Sequence, residues 1–208
     1  MSERTLLHRV EETAPYLRLK YRLHGDLMRF FEQQFLSGRE GLQVAELACG
    51  TGYGAHLLAR HPSVGRSVAV DIDRRLHDEA KIQDYAAEFV EADLLHLSFP
   101  PGSFDFTWNS SSAEHFEDPA AVITAMARAT REGGAVFVGV PYVWGPLAAY
   151  YLTPWRRWRE WLGRPFTFRR LESLFRQCGI KPQARLVYFF RFFAGVLGRK
   201  TADVKRSV

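Results

Sequence analysis

The chain has little cysteine: two residues, Cys49 and Cys178, in 208. Two thiols alone make no disulfide framework, and their spacing fits no zinc pattern. No metal site is expected, and a reducing cytoplasm is the expected compartment. The N-terminus, MSERTLLHRVEET, is charged throughout and lacks the apolar core of a secretion signal. Charge is missing altogether from residues 133–155, a stretch that matches the ~20 residues of a transmembrane helix. Gly133, Gly134, Gly139, Gly145, Pro141, Pro146 and Pro154 punctuate it. A buried strand, AVFVGV, running into an irregular apolar loop is therefore the better reading. Internal repeats and low-complexity segments are also absent.

Acidic residues are scarce at one end only. Residues 1–150 carry a net charge of −6, whereas residues 151–208 carry +11, with 14 basic side chains against 3 acidic ones. A basic, aromatic block of this kind suits acidic or phosphorylated ligands, anionic lipid or nucleic acid; a solvated helix face with a polar tail explains it equally well. The rest is ordinary for one globular domain, with 47% hydrophobic and 25% charged residues. A single domain over 1–208 is expected.

Residues 3–36 read as about two helices interrupted near Pro15 and Gly25, with Leu19, Leu23, Leu27, Phe30 and Phe31 at helical spacing. From residue 42 short apolar strands alternate with helices: LQVAELA, GAHLLARH, SVAVDI, RRLHDEAKI, AEFVEA, SFDFTWNS, PAAVITAMARAT, a turn at REGG, then AVFVGV. Alternation of this kind predicts parallel βαβ units in an α/β doubly wound sheet. After an aromatic insert come a helix, RRLESLFRQCG, ended by Gly179, and strands near 183–188 and 193–198. The expected divisions are a helical extension (1–41), a core (42–141), an insert (142–165) and a C-terminal segment with a basic tail (166–208).

Ligands on such sheets bind at the carboxyl ends of the strands. The first strand ends in VAELACGTGYGA, residues 44–55, where Gly50, Gly52 and Gly54 permit close backbone approach. The same residues also satisfy G-x-G-x-x-G/A, a dinucleotide signature. Glu46 weighs against that reading, because its charge repels a diphosphate and the turn offers no Lys or Arg to offset it. A sulfonium or ammonium ligand is attracted instead.

The segment resembles motif I of the class I S-adenosylmethionine-dependent methyltransferases, with Ala48 in place of the first glycine. Three more matches follow in order. VAVDID at 68–73 resembles the second-strand motif, whose carboxylate, here Asp71, binds the ribose hydroxyls; Asp73 reads more simply as a helix N-cap. EADL at 91–94 resembles the third-strand end, which implies Asp93 at the adenine amino group and Leu94 beside the ring. FDFTWNS and EHFEDP, at 104–110 and 114–119, resemble the fourth-strand block of the small-molecule subgroup, the type 11 methyltransferases of the ubiquinone and menaquinone kind. The resemblance covers roughly 42–190 and implies a Rossmann-like fold with a mostly parallel seven-stranded sheet. It implies S-adenosyl-L-methionine as cofactor, held by Glu46, Ala48, Cys49, Gly50 and Gly52, by Asp71 and Ile72, by Asp93 and Leu94, and by Asn109.

Methyl transfer from a sulfonium needs alignment and exclusion of water more than a catalytic triad. His115 is the candidate base or substrate ligand, because it follows the fourth strand and titrates near neutrality. Glu114 is the candidate partner that orients the loop or bonds the substrate. A purely structural hydrogen bond at either residue is the plainer alternative. Tyr21 and His24 on the helical extension are candidates to close over the site, a structural or exposed role for a lone helical His being the plainer alternative.

The insert carries Trp144, Trp155, Trp158 and Trp161 with Tyr150, Tyr151, Arg156 and Arg159. Ordinary core packing, a pocket for an apolar acceptor and a peripheral membrane contact are three uses that fit it. Phe189, Phe190, Phe192 and Phe193 belong to the same surface or to the last strands. A small-molecule or lipid-like acceptor is the expected substrate. Asn109-Ser110-Ser111-Ser112 stands where a nucleic-acid methyltransferase of the N-P-P-Y kind has its tetrad, which argues against nucleic acid. Two rival readings stay open: a nicotinamide-dependent oxidoreductase, and a non-catalytic cofactor-binding scaffold.

Overall fold

The computed structural model describes residues 14–75, 78, 84–146 and 163–201. The stretches 76–77 and 79–83, which hold most of the expected RRLHDEAKI helix, and 147–162, most of the insert, lie outside the described residues.

Helix α1 spans Ala14–Phe31 and runs into a short π-helical segment, Glu32–Leu36. Strand β1 (Leu42–Leu47) leads through the glycine turn to α2 (Tyr53–Ala59), then β2 (Val64–Asp71) and β3 (Glu88–Glu91). Strand β4 (Phe104–Ser110), α3 (Pro119–Ala129) and β5 (Thr130–Pro141) follow. The chain ends in α4 (Phe168–Gln177), β6 (Ile180–Tyr188) and β7 (Phe193–Lys200). The seven strands form one sheet in the order β3-β2-β1-β4-β5-β7-β6. All neighbours are parallel except β7, which is antiparallel to both β5 and β6.

Side-chain alternation divides the core between the two faces of this sheet. In β5, Val136, Val138 and Val140 pack on one face with Ile123 and Met126 of α3 and Phe175 of α4. Ala135 and Phe137 pack on the other with Phe106, Trp108 and the buried stripe Leu27, Phe30 and Phe31 of α1. Phe31 sits edge-on to Phe106, Trp108 and Phe137, with ring centroids 4.9, 5.3 and 5.0 Å away. Removing a ring this well packed costs about 3–5 kcal/mol. The free edges are short or interrupted: β3 has four residues, and β6 carries Pro182.

Local chemistry sets the helix ends. Asp118 caps α3 by accepting from Ala120 N at 2.9 Å, with Pro119 in the first turn. Thr167 caps α4 by accepting from Arg170 N at 3.1 Å, and Gly179 follows α4 at φ +72°.

Two expectations are corrected. The break expected near Gly25 is absent, since α1 is continuous through it. One helical glycine costs only ~1 kcal/mol, less than burial of Leu27, Phe30 and Phe31 contributes. The turn expected at residues 131–134 is a bulge inside β5, where Phe104 pairs with Thr130 but Phe106 with Ala135 and Gly133 takes φ +70°.

Candidate active site

β1 lies between β2 on one side and β4 on the other, so the crossovers leaving β1 and β4 diverge. This is the topological switch point, where α/β sheets bind ligands. The carboxyl ends of β1, β2 and β4 bring together the glycine turn, Asp71 and the loop holding Glu114.

The turn adopts left-handed backbone at Ala48, Gly50 and Gly52, with φ of 54°, 56° and 69°. At Gly52 the Phe89 ring lies 2.2 Å from where a Cβ would stand, so any side chain there collides with β3. At Gly50 the corresponding space is open. Ala48 takes a left-handed conformation that glycine adopts freely and keeps its methyl group, at a cost of roughly 1–2 kcal/mol.

Glu46 is buried, and its Oε2 accepts the Ala55 N–H in the first turn of α2 at 2.6 Å. The acid identified by its charge is thus also a helix-terminus partner, favoured by the positive end of the helix. Asp71 Oδ2 accepts from Gly50 N at 2.8 Å, and Oδ1 accepts from Asp73 N at 3.0 Å. A carboxylate has about four lone-pair sites, so capacity remains for two hydroxyl donors. Ile72, next in the chain, is 69% exposed, an apolar face placed for a ring.

Asp93 caps the short helix Leu94–His96 by accepting from Leu95 N at 2.9 Å, and pairs with His96 Nδ1 at 2.7 Å. These two bonds, the His96 one larger, hold its carboxyl below the ordinary value. Leu94 is buried in the core. Asn109 is fully buried; its Nδ2 donates to Leu47 O at 2.5 Å, joining the ends of β4 and β1, while its Oδ1 has no protein partner. Burial first, then the Glu46 and Asp71 charges, push the Cys49 thiol far up, so it stays protonated.

Glu114 and His115 lie on the short helix Ala113–His115 after β4. Glu114 is 1% exposed, its Oε1 accepts from Ser111 Oγ at 3.1 Å, and its Oε2 has no partner. Burial pushes its carboxyl from 4.5 up to about 8. Partial burial lowers His115, which stays neutral near pH 7. Their side chains approach to 4.0 Å, yet two neutral groups form no ion pair; desolvation wins over attraction here.

The structure adds Tyr188, Ser111 and Asp26, which have no sequence signal of their own, and shows where residues singled out in the sequence come to lie. Tyr188, fully buried at the end of β6, shares a 2.7 Å hydrogen bond with Ser110 at the end of β4. Ser111 takes φ 66°, which turns the loop so that its hydroxyl reaches Glu114. Tyr21 and His24 of α1 contact the Tyr53 ring at 5.1 and 5.2 Å, laying the N-terminal helix against the glycine turn. Phe189, Phe190 and Arg191, between β6 and β7, take φ of 48°, 53° and 67° in succession. Asp26 of α1 holds this turn, its Oδ2 accepting from Phe189 N at 3.0 Å, and Arg22 lies over the Phe190 ring at 4.6 Å. A groove of about 390 Å³ between α3 and the 95–99 loop contains none of the predicted site residues. Among the described residues there is no group of metal-ligating side chains and no helix long and apolar enough to cross a membrane.

Fold and turn together define a Rossmann-like methyltransferase architecture. Among solved structures, a Thermotoga maritima protein described as a SAM-dependent methyltransferase superposes with a TM-score of 0.70 over 92% of this chain and 96% of that one, at 18% identity. A methyltransferase-domain family model matches residues 45–138. A Mycobacterium tuberculosis relative named "Probable S-adenosylmethionine-dependent methyltransferase" is 35% identical over 99 residues, covering 47% of this chain and 35% of the relative. A fatty-acid O-methyltransferase of Mycolicibacterium smegmatis is 34% identical over 102 residues, covering 46% and 35%. The chain thus spans about a third of the length of these curated relatives. Residues 45–138 thus match the methyltransferase-domain family, and the chain has the fold of solved methyltransferases. The Mycobacterium tuberculosis relative is named for dependence on S-adenosylmethionine, and the comparisons do not favour the nicotinamide or scaffold readings.

Proposed function

We propose that the protein transfers a methyl group from S-adenosylmethionine to a small-molecule acceptor with an apolar, lipid-like body. The observation that carries this reading is the meeting of Asp71 and the Gly50 turn at the switch point, with no basic residue in the turn. When bound, the cofactor supplies a methyl group already activated on a positively charged sulfur. Asp71 would hold the ribose hydroxyls, Ile72 and Leu94 with Asp93 the adenine, and Glu46 with Asn109 the polar end near Gly50, Gly52, Ala48 and Cys49. His115, neutral at pH 7, accepts the proton where the acceptor must lose one. Glu114 contacts the acceptor from the same loop.

The apolar body is supported by the rim of the site. Trp144 is 74% exposed and Phe190 51%, with the exposed Arg22 and Arg191 beside Phe190. Exposed aromatics among arginines suit a peripheral membrane contact, and of these residues Arg22 belongs to the helical extension and Trp144 to the start of the insert. The relative named for a fatty-acid acceptor agrees with it.

The test is incubation of the purified protein with S-adenosylmethionine and a metabolite extract, read by mass spectrometry for compounds gaining one methyl group. A thermal shift with S-adenosylhomocysteine but not with NAD is expected alongside; the reverse pattern refutes the reading.

A further inference from the structure

We infer that Glu114 recognises the methyl acceptor as a hydrogen-bond donor, its unpartnered Oε2 carrying the proton to an oxygen of the acceptor. The inference rests on the methyltransferase reading and names the substrate class: alcohols, phenols, carboxylates or carbonyl compounds rather than ammonium compounds.

The geometry assigns the proton. Ser111 Oγ donates to Oε1, which therefore serves as the acceptor oxygen, and Oε2 is left as the hydroxyl of a neutral acid. The carboxyl is buried. A side chain at Gly163 would stand 2.3 Å from Glu114 Cγ, so that glycine closes onto the Glu114 stem, and Arg164 N donates to Glu114 O at 3.3 Å. An unsatisfied buried hydroxyl is destabilising, a cost that a bound oxygen removes.

The surroundings keep the acid neutral. From its own loop Glu114 faces Ser111 and His115, whose Nε2 is 4.0 Å from Oε1. From β6 it faces the Tyr188 hydroxyl, which is bonded to Ser110. After the insert it meets Gly163 and Arg164, whose guanidinium bonds Glu117 O at 3.4 Å. No cationic group among these forms a close pair with the carboxyl. Glu114 thus resembles other buried acids held protonated to donate a hydrogen bond.

The experiment uses the full chain loaded with S-adenosylhomocysteine. Carbon-13 NMR of the glutamate carboxyls is expected to show one group titrating near the value of about 8; titration of every glutamate in the ordinary range overturns the proposal. Binding of hexanol, hexanoate and hexylamine is then compared by thermal shift and calorimetry for wild type, Glu114→Gln and Glu114→Met. Gln keeps an N–H donor and is expected to bind hexanol and hexanoate within about threefold of wild type, whereas Met loses at least ~tenfold. Hexylammonium is expected to bind none of the three. Equal binding by wild type and Glu114→Met, or preference for hexylammonium, overturns the inference while leaving the methyltransferase reading intact. Loss of S-adenosylhomocysteine binding by the wild type refutes that reading instead.

Discussion

Asp71 at the end of β2 accepts the Gly50 N–H at 2.8 Å, so one carboxylate both shapes the turn that ends β1 and faces the proposed ribose position. Its removal strikes the turn and the ligand together. Asp71→Ala is expected to weaken S-adenosylhomocysteine binding by about ten- to a hundredfold, the scale of lost charge-assisted hydrogen bonds. Asp71→Asn, which keeps one acceptor oxygen, should fall between. Calorimetric affinity unchanged in Asp71→Ala speaks against the assignment.

Ala48 holds a left-handed conformation that glycine adopts freely. Ala48→Gly is expected to stabilise the fold by about 0.5–1 kcal/mol, the relieved strain being partly offset by greater freedom of the unfolded chain. Urea unfolding measures it, and a less stable variant would show the backbone at this position to be unstrained.

Glu114 makes folding pH-dependent. Its value in the fold lies above the ordinary 4.5, at about 8, so as pH rises the unfolded chain releases this proton first. Stability contributed by the neutral group is present below pH ~4.5, declines as pH rises toward ~8 and changes no further above it. Glu114→Gln cannot ionise, so its stability relative to wild type should increase across that window. Unfolding curves at a series of pH values check this; a constant difference contradicts it.

Asp26 restrains the three left-handed residues that follow β6 through its bond to Phe189 N. Asp26→Ala is expected to cost about 1–2 kcal/mol and to raise amide exchange at 189–192 first. Asp26→Asn, with an acceptor retained, should recover much of the loss. Uniform exchange throughout the sheet would assign Asp26 no special hold on the turn.

The aromatic-basic rim predicts lipid binding. Co-sedimentation with phosphatidylglycerol vesicles, and not with phosphatidylcholine vesicles, is expected for the wild type and should fall about three- to tenfold in Phe190→Ala with Trp144→Ala. Equal sedimentation with both lipids, or no effect of the two changes, removes the membrane contact from the functional reading.

Much of this molecule is legible from local pattern. The alternation of apolar strands and helices from residue 42 onward announces the sheet, and the acid, glycines and second-strand Asp71 mark its ligand edge, because each signal is confined to a dozen neighbouring residues. Other features depend on partners far away in the chain. Gly25 suggested a break that α1 does not have, since the rings of Phe106, Trp108 and Phe137 hold the helix together from outside it. Glu46 was identifiable by its charge, but its bond to Ala55 was not. Tyr188 reaches Ser110 across 78 residues, and Asp26 reaches Phe189 across 163.

The sequence by itself determined the class of fold and the edge proposed to bind ligand, since propensity, periodicity and turn chemistry act over short range, and the motif resemblance named most of the residues proposed to line it. Only the tertiary structure decided that the Glu114 carboxyl is held neutral. Protonation depends on the water and dipoles a group loses or gains on burial, and that environment is assembled from elements distant in the chain.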